Sequence, residues 1–293
     1  MPVNDPIVAE QEPATDFTID QKWDRYTTEE HAIWTTLYER QMGVLKGRAA
    51  PEHFAGLDML NLNDGGIPDF RRVNEKLEKL TGWTVVTVPG LIPEKDFYEH
   101  LANRRFVSGR FIRDGEKLDY LPEPDIFHDV FGHVPLLTQP VFADYMQAYG
   151  KGGLRSLEFD AIKHMARLYW YTVEFGLINT PEGRRIYGAG IVSSRTESIF
   201  SLEAKSPNRL HFDLERIMQT DYRYDDFQQS YFVIDSYDEL MEATYADFAP
   251  IYESLPGRPE YKPSDLTEGD RVYSRGSQDY ARQGGLIGNA EPV

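Results

Sequence analysis

Residues 68–90 read Pro68-Asp-Phe-Arg-Arg-Val-Asn-Glu-Lys-Leu-Glu-Lys-Leu-Thr-Gly-Trp-Thr-Val-Val-Thr-Val-Pro-Gly90. Pro68 and Asp69 suit the opening of a helix, Phe70, Val73, Leu77 and Leu80 recur at helical spacing, and Gly82 is placed to close it. A β-branched run, Thr84–Val88, follows and ends at Pro89–Gly90, which predicts a strand running into a turn. The same mixture extends outward. Thr27 and Glu30 form a capping-box signature ahead of Ile33, Trp34 and Leu37. Further helices are predicted at 94–103, 141–149, 158–177, 209–218 and 236–248. Short strands are predicted at Arg105–Ile112, Ser198–Leu202 and Tyr231–Ile234. They are too few and irregular for a βαβ sheet, so the expected class is mostly α with small β pieces. Residues 1–20 lack periodicity, and 255–293 hold six Gly and four Pro. Both read as flexible tails around a single domain at 21–254, since no linker composition interrupts it.

Composition narrows the function. Of 293 residues, 41% are apolar and 13% aromatic, enough for a sizeable core. The excess of 48 acidic over 31 basic residues gives a net charge of −17, which works against binding nucleic-acid phosphates or an anionic membrane. With no cysteine, disulfides, thiolate metal sites and cysteine nucleophiles are excluded, and any metal must be held by nitrogen and oxygen. No apolar run approaches 18 residues, and Met1–Asp20 shows no basic start followed by an apolar stretch, so a cytoplasmic protein is expected.

Two of the seven histidines fall in Glu123-Pro-Asp-Ile-Phe-His128-Asp129-Val-Phe-Gly132-His133-Val-Pro135. On a continuous α-helix, residues five apart point about 140° away from each other, a poor arrangement for sharing an ion. Pro124 at a first helical position, Gly132 in a left-handed C-terminal position and Pro135 as a stop would instead let both rings converge; a chance pair is the competing reading. In Leu168-Tyr169-Trp170-Tyr171-Thr172-Val173-Glu174-Phe175-Gly176, Ala161, Met165, Leu168, Thr172 and Gly176 mark the packing stripe. Lys163 and Arg167 lie on a solvated side that turns into Trp170 and Glu174. Glu174 is either exposed near Arg167, or a partly buried carboxylate that needs a cation. In the latter case two histidines and one carboxylate would form the open-sided set of non-haem Fe(II) oxygenases. The zinc-protease pattern His-Glu-x-x-His disagrees in spacing and acid, and Gly188-Ala189-Gly190 is negligible as a nucleotide signal.

The blocks Pro122-Glu-Pro-Asp-x-x-His128-Asp-x-x-Gly-His133-Val-Pro135, Tyr169-Trp-Tyr-Thr-Val-Glu174-Phe-Gly176 and Tyr187-Gly-Ala-Gly-x-x-Ser-Ser194 together resemble the pterin-dependent aromatic amino acid hydroxylases. The resemblance covers about residues 20–250 and is to the short bacterial, phenylalanine-hydroxylating members. It implies a single catalytic domain that works as a monomer and converts L-phenylalanine to L-tyrosine with O2, a tetrahydropterin and Fe(II). A phenylalanine 3-hydroxylase, a tryptophan hydroxylase and a non-catalytic protein with a structural zinc are the alternatives.

By that resemblance His128, His133 and Glu174 bind iron, with Tyr169 near the metal. Phe97 stacks on the pterin, Gly90 and Leu91 offer it backbone groups, and Asp129, where animal members carry glutamate, reaches it through water. Without the resemblance, Phe97 reads as core, paired with Leu101. Arg113 matches the arginine that takes the substrate carboxylate, a task suited to its planar fork; by itself it reads as a surface residue before Asp114-Gly115. Trp170 and Phe175 would contact the substrate ring, Ser193 would hydrogen-bond near the carboxylate, and Tyr120, Leu121 and Pro122 would line the same side. Leu121 replaces a threonine of the animal phenylalanine enzymes. Val233 aligns with a position that is aspartate in tyrosine hydroxylases; an apolar group there favours phenylalanine.

Overall fold

A computed structural model describes residues 5–63, 65–119, 123–245 and 248–284. These divide into two compact units, the first from 5–43 and 51–154, the second from 44–50 and 155–284. Two of the boundaries fall inside helices Thr28–Leu45 and Pro140–Ser156 and the third at the start of helix Pro51–Leu60, so no linker marks them in the sequence.

In the first unit, helix Thr28–Leu45 opens on the capping box: Thr27 N–H donates to Glu30 Oε2 (2.7 Å) and Glu30 N–H to Thr27 Oγ1 (3.2 Å). Helix Phe70–Thr81 is capped by Asp69, whose Oδ1 accepts from Arg71 N–H at 3.0 Å, and closed by Gly82 at φ 75°. Strand β1 (Thr84–Thr87) runs through helix Glu94–Ala102 into the parallel strand β2 (Arg105–Ser108). This is a small βαβ unit, which the strand count had argued against. Helix Pro51–Leu60 was not predicted; Gly56 lets it pack on the Pro135 backbone, where any Cβ would overlap.

The N-terminal stretch is no loose tail from Asp5 onward. Asp5 caps helix Pro6–Ala9 and pairs with buried Arg110 at 2.7 Å, Asp16 pairs with Arg105 at 2.8 Å, and Ile19 bridges to Thr87. Polar residues with distant partners replaced the apolar burial that the sequence lacked.

In the second unit, helix Ile162–Tyr169 begins later than predicted because Asp160 takes a left-handed conformation at φ 53°. Its packing stripe is buried as expected, with Ala161, Met165, Leu168 and Thr172 at most 3% exposed. A hairpin of β3 (Leu177–Thr180) and β4 (Gly183–Ile186) follows. With β5 (Asn208–His211), β6 (Ser230–Ile234) and β7 (Val272–Ser274) it forms a mixed sheet in the order β4-β3-β6-β5-β7. Two assignments are reversed here. Ser198–Leu202 lies in helix Arg195–Glu203, capped by Ser194, whose Oγ accepts from Glu197 N–H at 3.3 Å. The stretch 209–218 is β5 and then a short helix, Leu214–Met218, begun by Asp213. Residues 255–284, also expected to be loose, supply β7, and Tyr280 packs on Phe200 and Phe227. The class is mostly α with small β pieces, as expected.

Candidate active site

The segment bearing both histidines is a π-helix, Phe127–His133, continued by a 3-10 turn, Val134–Thr138. Gly132 is not left-handed and Pro135 does not stop the chain; it sits near the start of the following turn. The 140° separation of an α-helix does not arise here, because a π-helix closes on residues five apart and makes His128 and His133 neighbours. Their Nε2 atoms lie 3.2 Å apart, with the rings nearly perpendicular at 85°. Two nitrogen ligands about 2.1 Å from one ion and at right angles to it would be about 3 Å apart. His133 is 5% exposed and packs on Phe106, 4.9 Å between ring centroids.

The other five histidines are engaged elsewhere. His31 Nδ1 accepts from Ile67 N–H, His100 contacts the Asp16 carbonyl, His164 the Met218 carbonyl, and His211 lies between Asp235 and Glu239. His53 is wholly buried, and burial pushes its pKa down to about 3.

Asp125 supports this segment, and the sequence reading passed over it. Its carboxylate is fully buried and accepts from His128 N–H at 2.9 Å. The same carboxylate holds Arg113, through Nε at 2.8 Å and Nη2 at 2.9 Å, while Arg113 Nη1 donates to the Leu118 carbonyl at 2.9 Å. Arg113 is therefore no surface residue; it is 8% exposed. Its bidentate fork is spent on Asp125, which, among the described residues, leaves one outer N–H on each of Nη1 and Nη2 for another anion.

Also in the first unit, Gly90 and Leu91 are exposed on the loop after β1, Leu91 at 88%. With Pro89, Arg110, Phe111 and Val8 they line a pocket of about 360 Å³. Phe97 is half-buried rather than core. Asp129 accepts from Gly109 N–H at 2.9 Å. Tyr120, Leu121 and Pro122 lie outside the described residues.

In the second unit, Trp170–Glu174 is again a π-helix, with Phe175 N–H donating to the Trp170 carbonyl at 2.8 Å. The five-residue step from Tyr169 to Glu174 thus loses its α-helical angle as well. Arg167 is 5% exposed, not solvated, and its partners are Asp221 and Glu260, so the reading of Glu174 as an exposed partner of Arg167 falls. Glu174 is half-buried. Gly188 and Gly190 press against it: a Cβ on Gly188 would overlap the Glu174 carbonyl, and one on Gly190 would come within 3.1 Å of Glu174 Oε2. That close approach explains Gly188-Ala189-Gly190, which nucleotide binding did not.

Trp170 and Phe175 meet at 4.6 Å between centroids, and Trp170 also stacks on Tyr222 at 4.4 Å. Ser193 is 8% exposed and donates to the Ala189 carbonyl at 2.7 Å, so its hydroxyl proton is committed locally. Val233 is completely buried in β6, opposite Leu177 and His211. Glu197 is buried too; loss of water pushes its carboxyl up to about 8, against hydrogen bonds from Tyr231 and from Gln228 N–H that favour the ionised form. Only its burial marks it out, and the sequence carried no signal for that.

The pattern of the biopterin-dependent aromatic amino acid hydroxylases matches residues 11–253. The chain is 62% identical to the phenylalanine-4-hydroxylase of Caulobacter vibrioides over 275 residues, 94% of each protein. It also superimposes on solved structures of the phenylalanine hydroxylase of Chromobacterium violaceum. One has iron and phenylalanine bound (TM-score 0.86, 53% identity, 91% of this chain and 99% of that one). Another has iron(III) and the oxidised cofactor 7,8-dihydrobiopterin bound (TM-score 0.87, 54% identity, 92% and 99%). The chain belongs to the biopterin-dependent aromatic amino acid hydroxylase family. It is thus a pterin-dependent monooxygenase of aromatic amino acids, with iron and a pterin as its cofactors.

Proposed function

We propose that this chain is a phenylalanine 4-monooxygenase, hydroxylating L-phenylalanine to L-tyrosine with O2 and a tetrahydropterin at a non-haem Fe(II) centre. The observation that carries the reading is the pair of imidazole nitrogens 3.2 Å apart on a π-helix, a spacing that suits adjacent ligands of one ion. His128 and His133 would hold the iron with Glu174; two nitrogens and one carboxylate oxygen are the ligand atoms on offer. The donor set fits ferrous iron and leaves positions open. Iron and a reduced pterin, when bound, supply the activation of O2 that side chains cannot.

The chain's own residues bind, orient and exclude water. Asp125 holds the His128 backbone and the Arg113 guanidinium in one buried cluster. The outer N–H groups of Arg113 would receive the amino acid carboxylate. Trp170 and Phe175 give a two-ring wall for the substrate ring, and Tyr169 stands next to the iron ligand's turn. Ser193, with its proton given to Ala189, would act there as an acceptor. Val233 contributes an apolar strand position that offers a substrate hydroxyl no partner. Gly90 and Leu91 present backbone groups to the pterin, Phe97 a ring face and Asp129 a carboxylate. The same reading has the protein act as a monomer in the cytoplasm, and its −17 charge favours separation of copies by repulsion.

The test is product analysis after turnover of phenylalanine, tyrosine and tryptophan with Fe(II) and tetrahydropterin. Para-tyrosine from phenylalanine is expected, and Glu174→Gln is expected to weaken iron uptake with the fold retained. Meta-tyrosine, a hydroxylated tryptophan, or zinc uptake without oxygen consumption would each overturn the proposal.

A further inference from the structure

Residues 218–228 run alongside helix Ile162–Tyr169 and its π-turn, fastened at successive turns. The Met218 carbonyl accepts from His164 Nδ1 at 2.6 Å and from Arg167 Nη1 at 3.3 Å. The Asp221 carbonyl accepts from the Tyr171 hydroxyl at 2.6 Å, and Tyr222 lies flat on the Trp170 indole, 20° between planes. The last fastening is Gln228, whose Oε1 accepts from Trp170 Nε1 at 2.9 Å.

Gln228 is unusually constrained for a glutamine, being 2% exposed. Its amide nitrogen donates to the Arg223 carbonyl at 2.8 Å and the Asp226 carbonyl at 3.3 Å, so its oxygen can face only the indole. Its backbone N–H donates to Glu197 Oε1 at 3.4 Å, and the same oxygen accepts from the Tyr231 hydroxyl. The indole of Trp170 is half-exposed and hinged at two side-chain torsions; stacking limits its tilt, but the N–H bond fixes its rotation within the plane.

We propose that Gln228 is a positioning residue: anchored by Arg223, Asp226 and Glu197, it fixes the Trp170 indole and thereby the lateral position of the aromatic substrate ring. This rests on the reading of Trp170 as part of the substrate wall. A shift of about 1 Å in a reacting ring can cost up to ~100-fold in rate, so a distant anchor can govern hydroxylation.

The test is a cycle of Gln228→Leu, Trp170→Phe and the double variant, with Gln228→Glu as the conservative control that keeps an acceptor oxygen. Gln228→Leu is expected to raise KM for phenylalanine about tenfold, and to raise the pterin oxidised per tyrosine formed. Iron uptake and the KM for pterin should stay put. Gln228→Glu should recover the loss only where its buried carboxyl is protonated, at the acid end of the pH range, because an ionised carboxylate would turn an oxygen toward the Arg223 and Asp226 carbonyls. In the Trp170→Phe background, adding Gln228→Leu should change these values less than about twofold, because both substitutions remove one interaction. Additive effects, or an unchanged KM and coupling in Gln228→Leu, would overturn the proposal. Trp170 emission, read as each form minus its Trp170→Phe counterpart, should differ between wild type and Gln228→Leu whether or not the enzyme turns over, because the indole N–H loses its acceptor. An unshifted spectrum also overturns the proposal. If the wild type makes no tyrosine but the emission shifts, the functional reading fails while the anchoring of the indole stands.

Discussion

Replacing Asp125 with asparagine should damage stability and substrate binding together. The two carboxylate oxygens accept four hydrogen bonds: Arg113 N–H at 3.0 Å and Nε at 2.8 Å on Oδ2, Arg113 Nη2 and His128 N–H at 2.9 Å on Oδ1. Asparagine keeps the shape, removes the charge, and turns an NH2 toward two donors whichever way the amide is rotated. Arg113 is then left buried beside a neutral group. Removing one partner of a buried ion pair costs about 3–5 kcal/mol. At about 2–4 °C per kcal/mol, the melting temperature should fall by roughly 6–20 °C. The loosened guanidinium should also raise KM for phenylalanine, with KM for pterin much less affected. Thermal unfolding by circular dichroism, with and without Fe(II), reads the first effect and steady-state kinetics the second. A variant that melts within about 2 °C of wild type would show that the buried pair is not the support described here. An Arg113→Ala/Asp125→Ala variant should be less destabilised than the sum of its single changes, since neither partner is left alone.

Two further outcomes follow from the second unit. Glu197 keeps its proton in the fold up to about 8, whereas an ordinary glutamate releases it near 4.5. The folded state therefore holds the extra proton between those values, and stability falls by about 1.4 kcal/mol per pH unit across that window, then levels off. Urea midpoints from pH 5 to 9 should show this slope in wild type and a flatter one in Glu197→Gln; parallel slopes would remove Glu197 as the cause. A methyl group in Gly188→Ala would meet the Glu174 carbonyl and come within 2.5 Å of Gly176 N, so the Glu174 turn must move. The expected loss is about 1–3 kcal/mol in stability and roughly tenfold or more in Fe(II) affinity; an unchanged Fe(II) titration would sink that reasoning.

Several features were legible because their causes are local. The Thr27–Glu30 box, Asp69 and Gly82 close hydrogen bonds within a few residues of themselves, so short sequence windows carry the whole cause. The metal-ligand types were legible as well, since only histidines and carboxylates remain in a chain without cysteine. The Ser194 cap that makes β-prone Ser198–Leu202 helical is local as well. Other features depend on distant partners, and β7 exists because β5 offers it an edge. Spacing alone gave His128 and His133 the wrong angle, because it assumes an α-helix and the segment folds as a π-helix.

The amino-acid sequence by itself determined the class, the helix ends at Thr27, Asp69 and Gly82, and the chemistry of the available ligands, because composition and capping act at short range. Tertiary structure alone decided that Arg113 is tied to Asp125, that Glu197 is stripped of water, and that Trp170 is pinned by a glutamine far along the chain. Those outcomes depend on desolvation and on pairings between remote segments, energies that arise only once the chain has closed on itself.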